Sequence, residues 1–344
     1  MYLIDPLSDP RWAPFVERHP AACAFHTAGW IRALSITYGY KPFAVTSAAP
    51  GSELRDAIPL CRVESWATGR RLVSLPFADH CQPLVSPDAE SDFISFLSEL
   101  ARLENYKFFE LRPATSMTST ALPERNRSAA YVAHWLDLSP SLETIFNTFH
   151  KDSIQRKIRR AERENLRYEE GRSADIINHF YVLMVRTRRR HQLPPQPKEW
   201  FYNMAEAMGD SVQFRLAFKD EHVIAAVVTL THRNSMIYKY GCSDERYHAT
   251  GCMPFLFWRM IQDAKNRFIP LLDFGRSDLD NPGLVRFKDQ WGTQRAELNY
   301  FRFPPRDPSS GSRGIAARMA KTAFSILPSR VLELVGRVLY RHIG

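Results

Sequence analysis

Residues 273–292 bring together the side chains most capable of chemistry. Asp273-Phe274-Gly275-Arg276-Ser277-Asp278 is followed by Gly283-Leu284-Val285-Arg286-Phe287-Lys288-Asp289-Gln290-Trp291-Gly292. Arg276 and Arg286 suit a phosphate or diphosphate, because a planar guanidinium fork matches its oxygens two at a time. Asp273, Asp278 and Asp280 offer a base that takes a proton from an attacking amine. The same carboxylates also read as loop salt bridges that position Arg276, and residue types alone leave both open.

Two further cationic segments stand out. Residues 151–167 read as a basic helix in which Arg156, Arg160, Arg163 and Arg167 share one face while Ile154, Ile158 and Ala161 share another. Such a stripe fits a tRNA backbone or the phosphates of a lipid-linked sugar, or is a solvated basic face. Thr187-Arg188-Arg189-Arg190-His191 leads into Gln192-Leu193-Pro194-Pro195-Gln196-Pro197. Cations there form an anion site or simply complement the negative end of a helix dipole. Metal and common nucleophile chemistry find no support: H-E-x-x-H, G-x-S-x-G, a P-loop and G-x-G-x-x-G are all missing from the sequence. The five cysteines, Cys23, Cys61, Cys81, Cys242 and Cys252, are odd in number and contain no C-x-x-C. That argues against a zinc knuckle and a disulfide framework, so a reducing cytoplasm is the expected compartment.

These segments need elements to hold them. A chain of 344 residues, 44% hydrophobic and 24% charged, is ordered, globular and long enough for two cores. The expected fold class is α/β (α+β), with mixed, largely antiparallel sheets. In the first part, residues 12–40 read as a helical entry. Strands follow at Phe43 to Ser47, Ala57 to Val63 and Arg71 to Leu75, then a helix at 91–105 and a strand from Lys107 to Arg112. The Ser-, Thr- and Pro-rich stretch Pro113 to Ser128 reads as a loop, followed by a strand from Tyr131 to Leu136. Helices are expected at 141–165, 174–191 and 198–208, and an antiparallel meander at 212–219, 222–232 and 235–241. A helix over 254–267 has Pro254 at its first position. It leads into a strand from Leu271 to Phe274, a loop, and a strand at 295–303.

The run Tyr238-Lys239-Tyr240-Gly241-Cys242-Ser243-Asp244, the Asp-Phe-Gly-Arg-Ser run and the Gly-Leu-x-x-Phe-Lys-x-x-Trp-Gly signature at 283–292 together resemble the FemAB-like branch of the GNAT acyltransferases. The resemblance covers roughly residues 140–303 with specific motifs and residues 1–139 by general pattern. It implies two tandem GNAT-like domains, 1–139 and 140–304, with 305–344 as linker and amphipathic tail. It also implies transfer of an acyl or aminoacyl group to an amine of a peptidoglycan or exopolysaccharide precursor. The best-known members use aminoacyl-tRNA as donor, and others are acetyltransferases of polysaccharide synthesis. Lys288 matches the lysine that the family places at the reacting centre, where a fixed cation near a tetrahedral oxyanion is worth about 3 kcal/mol. Phe287, Trp291 and Tyr240 are implied as substrate neighbours, together with Arg276, Arg286, Arg156 and Arg160. A CoA-using GNAT carries Gln/Arg-x-x-Gly-x-Gly/Ala before its central helix, whose backbone donors cradle a pyrophosphate. Here His248-Ala249-Thr250-Gly251-Cys252-Met253 keeps Gly251 as the one cofactor glycine and puts a side chain at the last small position. Acyl-CoA and aminoacyl-tRNA both stay open as donors, and no metal is required.

The net charge of +9 favours anionic, phosphate-bearing partners, whether nucleotide, lipid diphosphate, tRNA or an acidic membrane. The opening Met-Tyr-Leu-Ile-Asp-Pro lacks a signal-peptide pattern, and no apolar run reaches spanning length. Residues 305–313 read as a linker. Val331, Leu334, Val335, Val338 and Leu339 then follow helical spacing, with Arg330, Arg337 and Arg341 on the polar side. Such a helix in 314–344 either lies on the inner face of the cytoplasmic membrane or packs back on the protein. A noncatalytic RNA- or membrane-binding protein is the competing reading from another class.

Overall fold

The entry region expected as one helix is two, because Pro20 interrupts it and Thr27 starts a second helix by accepting the Trp30 N–H at 3.3 Å. This is seen in a computed structural model that describes residues 1–66, 68–115, 124–305 and 328–343. The chain divides into two compact units. The first contains Met1–Tyr131, the chain from Glu297 and the chain from Arg337; the second contains Val132–Ala296 and the chain up to Gly336.

In the first unit β1 (Tyr2–Ile4), α1 (Trp12–Arg18) and α2 (Ala28–Tyr38) precede β2 (Lys41–Thr46), β3 (Ile58–Ser65) and β4 (Gly69–Val73). The helix α3 (Glu90–Leu103) and β5 (Phe109–Leu111) complete it. The sheet order is β1-β2-β3-β4-β5, antiparallel except for the β4–β5 pair. Phe93, Ile94, Leu97 and Ala101 recur at helical spacing and cover Phe43, Val45, Leu60, Leu72 and Phe109 of the strands.

The second unit starts within β6 (Arg127–Asp137), which is longer than the sequence pattern indicates. The expected helix 141–165 is broken into α4 (Leu142–Thr148), a π turn (Lys151–Gln155) and α5 (Arg156–Arg163). The break falls at His150, whose Nδ1 accepts the Ser153 N–H and restarts the helix. The basic stripe therefore ends at Arg163. Arg167 opens β7 (Arg167–Gly171) and lies over the Phe218 ring at 4.1 Å. Next come α6 (Ala174–Arg190), α7 (Lys198–Met208) and the antiparallel meander β8 (Val212–Lys219), β9 (His222–His232) and β10 (Ser235–Ser243). The helix α8 (Cys252–Asn266) starts two residues before Pro254 and leads into β11 (Leu271–Asp278). Where a loop is expected, residues 282–289 form the helix α9 (Pro282–Asp289), with Pro282 at its start and Asn281 Oδ1 accepting the Leu284 N–H at 3.2 Å. The strand β12 (Gln294–Phe303) follows. Strand order in this unit is β6-β11-β10-β9-β8-β7. Its core of Leu256, Phe257, Met260, Ile261, Leu272 and Phe274 lies under α5 and α8. The last helix, α10 (Ser329–Ile343), is amphipathic as expected. The linker at 306–313 and the start of the tail, 314–327, lie outside the described residues, as does the side chain of Arg330.

Candidate functional site

The parallel pair β10–β11 holds together for three residues only, from Ser235↔Leu271 to Ile237↔Asp273. Both strands run on, β10 to Ser243 and β11 to Asp278, without pairing to each other. A register shift between Tyr238 and Tyr240 turns β10 at the point of parting. Two parallel strands that part toward their C-terminal ends leave a cleft there, the usual place for a ligand in such sheets. Tyr238, at that shift, is half-buried. Its hydroxyl lies so close over Gly241 that a methyl group at 241 would meet it at 1.9 Å. Its ring packs on Phe257 at 4.6 Å. In the part of β11 that β10 leaves, the Ser277 hydroxyl is buried without a hydrogen-bond partner, and so, on the segment that follows, is the Trp291 indole N–H. Buried orphans of this kind are rare in folded proteins and mark places where a further group belongs.

Most residues that the sequence motifs single out converge on this region. Lys288, on α9, is buried at 2% exposure. Its Nζ donates to the carbonyls of Gly275 at 2.8 Å and Arg276 at 3.0 Å. The ammonium therefore satisfies acceptors on the stretch of β11 that β10 leaves. Asp273 is buried and accepts the Gly275 N–H at 2.7 Å, which closes the turn of chain that Lys288 holds. Phe287 and Trp291 form an aromatic layer with Phe257 and Phe274, and Trp291 is fully buried. Arg276 is half-buried, whereas Asp278, Asp280 and Arg286 are exposed. Tyr240 is set apart: it is buried in the core and its hydroxyl accepts the Trp200 indole N–H at 2.9 Å. Arg156 and Arg160 are exposed on α5, paired with Asp152 at 3.6 Å and Glu164 at 3.3 Å.

At the C-terminal end of β10 lies a cavity of about 590 Å³ lined by Arg186, Arg189, Arg190, Gln192, Ser243, Asp244, Glu245 and Arg246. Arg189, Arg190 and Gln192 belong to the cationic segment that the sequence marks, and Ser243 and Asp244 end the run from Tyr238; Arg186, Glu245 and Arg246 are not singled out there. Arg186 lies on α6 and Glu245 and Arg246 follow β10, and the packing of α6 on β10 brings them together. Asp244 is the organiser. It is 6% exposed and pairs with Arg186 at 2.9 Å and Arg246 at 2.6 Å. The hydrogen bond from Arg246 holds its carboxyl at about 2, well below the usual carboxylate range, against the opposing effect of burial. Ser243 Oγ is 2.9 Å from His248 Nε2. Four guanidinium groups face two carboxylates, so the cavity is left cationic.

Gly251 has a structural reason to be glycine. Its φ is +81°, in the left-handed region, and a methyl group there would run into the Lys157 carbonyl oxygen of α5. The Cys252 thiol donates to the Tyr247 carbonyl at 3.7 Å. Pro254 has no N–H, and Phe255 donates to Gly251 at 2.9 Å. Pro254 thus removes one of the donors that the start of α8 would offer a pyrophosphate.

Residues 149–289 match the sequence profile described as an acetyltransferase (GNAT) domain. Among solved structures the chain is similar to FemX, at 13% identity, with 88% of this chain and 97% of that one covered and a TM-score of 0.67. It is similar to L-PGS from Bacillus licheniformis at 14% identity, covering 97% and 98%, with a TM-score of 0.58. A tandem GNAT protein from the clavulanic acid biosynthesis pathway matches at 13% identity over 89% and 98%, with a TM-score of 0.53. At these identities the likeness establishes the fold, a tandem GNAT-like architecture with a mostly antiparallel sheet. A search of curated protein sequences finds no match. Among the described residues no cluster of three or more His, Cys, Asp or Glu side chains is placed to hold a metal, and no helix is long and apolar enough to cross a membrane.

Proposed function

We propose that the protein transfers an aminoacyl or acyl group to an amine of a phosphate-bearing cell-envelope precursor, in peptidoglycan or exopolysaccharide synthesis. The observation that carries this reading is the parting of β10 from β11 inside a GNAT domain, next to a cationic cavity. The amine attacks the acyl carbonyl, the carbonyl oxygen takes up negative charge, and the leaving group departs with the proton the amine gives up. In this reading Tyr238, at the point where the strands part, donates a hydrogen bond to that oxygen. Lys288 acts one step removed: its positive charge lies behind the carbonyls of Gly275 and Arg276 and fixes the wall of the cleft. Arg189, Arg190 and Arg246 supply forks for the phosphates of a substrate. The donor missing at Pro254 and the side chain of Met253 at the last small position of the loop favour an aminoacyl donor over acyl-CoA.

A donor screen tests this. The purified protein is offered acetyl-CoA, longer acyl-CoAs and charged tRNAs, each with amine acceptors that carry a diphosphate, and donor consumption is scored beside Tyr238→Phe. Consumption of aminoacyl-tRNA that drops about ten-fold or more in the variant supports the reading, since loss of one oxyanion donor costs at least that much. Turnover of acetyl-CoA with an amino-sugar acceptor would replace the aminoacyl donor by CoA. Silence with every donor and diphosphate acceptor would favour a noncatalytic binding protein.

A further inference from the structure

The helix α10 has apolar residues on two faces and uses one of them for packing. Leu332 is fully buried. In the first unit the Tyr340 carbonyl accepts the Tyr40 hydroxyl at 2.7 Å, and the Tyr340 ring stands edge-on to Phe77 at 5.7 Å. The His342 carbonyl accepts from Arg71 Nη2 at 2.8 Å and from Thr68 Oγ1 at 3.1 Å. These bonds fix the rotation of the helix about its axis. They also divide the apolar set that the sequence pattern treats as one face.

The face turned outward carries Val331, Leu334 and Val338, exposed at 41%, 60% and 52%. Their spacing of i, i+3 and i+7 makes one continuous stripe. His342, one turn beyond Val338, accepts the Trp66 indole N–H at 3.1 Å, and Trp66 is itself 87% exposed. Trp66, from the β3–β4 turn, thus extends the stripe at its C-terminal end. Arg337 and Arg341, both exposed, lie three and seven residues beyond Leu334 and border the stripe on one side.

We propose that this stripe, with Trp66, is the surface by which the protein docks on an anionic lipid bilayer. Apolar side chains held outward by a fixed helix gain by entering the acyl boundary. A tryptophan with its N–H satisfied suits the headgroup level, where an amphipathic ring is at home. Arg337 and Arg341 complement anionic headgroups, as does the chain's net charge of +9. A second copy of the chain packed here by a two-fold axis would bring like charges together, which disfavours self-association. Docking of this kind leaves the helix lying in the interface, and it stands independently of the reaction proposed above.

The test is co-sedimentation of the full chain with vesicles of phosphatidylcholine alone and with phosphatidylglycerol added. Expected is binding to the anionic vesicles that weakens with salt, with a blue shift in tryptophan emission that Trp66→Phe removes. Leu334→Glu/Val338→Glu substitutes exposed positions, so it should keep the wild-type melting temperature while weakening binding roughly ten-fold or more. Arg337→Gln/Arg341→Gln should reduce the preference for anionic vesicles by about five-fold per arginine. Failure of the wild type to sediment with anionic vesicles overturns the proposal, and so does a Leu334→Glu/Val338→Glu protein that binds as well as wild type. Self-association that this variant abolishes, without vesicle binding, overturns it in favour of a second copy.

Discussion

Replacing Lys288 by methionine separates two roles for a buried ammonium in a transferase cleft. Methionine fills nearly the same volume, so the cavity cost is small. What is lost is the pair of donors to the Gly275 and Arg276 carbonyls, and Gly275 is buried. A buried acceptor left unsatisfied costs about 1–3 kcal/mol, and the part-buried Arg276 carbonyl adds less, which gives about 2–4 kcal/mol for the two. For a unit of this size that lowers the melting temperature by roughly 5–15 °C. The assay is a thermal melt of wild type, Lys288→Met and Lys288→Arg followed by circular dichroism, with turnover measured well below each midpoint. Lys288→Arg is expected to fail as well, because a planar fork cannot replace a compact ammonium in a closed site. The reasoning is refuted if Lys288→Met melts with the wild type. Lost turnover at unchanged stability would then place the ammonium on the reacting group itself, as the family resemblance implies.

Three further outcomes follow from the geometry. Gly251→Ala combines a left-handed backbone with a contact of 2.3 Å to the Lys157 carbonyl, so it should cost roughly 2–4 kcal/mol, read as a lower urea midpoint. Asp244 has a depressed carboxyl, so its contribution is present above the unfolded value near 4 and is lost as pH falls through about 2. Because Arg186 and Arg246 are more than half exposed, solvent screening limits that contribution to about 1 kcal/mol. Wild type should lose this increment between pH 4 and 2, and Asp244→Asn, compared by urea titration, should not. Arg189→Ala/Arg190→Ala should weaken inorganic pyrophosphate binding about ten-fold or more by calorimetry; equal affinity in the variant would remove the cavity from the phosphate-binding role.

Much of the second unit is legible in its sequence because each element there has a strong local cause. The meander β8–β9–β10 follows from alternating apolar runs between Lys219-Asp220-Glu221 and Arg233-Asn234, and α6 from a Ser173 cap and one apolar face. The failures share a different cause. The α9 segment reads as a loop because its eight residues bury only Lys288 fully, so no apolar stripe announces a helix. Its start depends on Asn281 and Pro282, signals that become decisive only with β11 in place. The 151–167 stripe reads as one helix because arginines at helical spacing continue to Arg167, although the chain turns into β7 at that residue.

The site divides the same way. Lys288, Asp273, Phe287 and Trp291 belong to a motif contiguous in sequence, so the motif locates them. Arg186, Asp244 and Arg246 form their ion pairs across 58 residues and across two, and the packing of α6 on β10 sets the first beside the second. Long-range pairing of this kind leaves no trace in a local pattern. What a motif conveys even for its own residues is position and not role. Lys288 stands where the resemblance implies a catalytic cation, yet its donors run to the carbonyls of β11, and a side chain that shapes a cleft is required as strictly as one that touches the substrate. A requirement for lysine at 288 is therefore compatible with both roles, and stability and turnover have to be measured on the same variant to tell them apart.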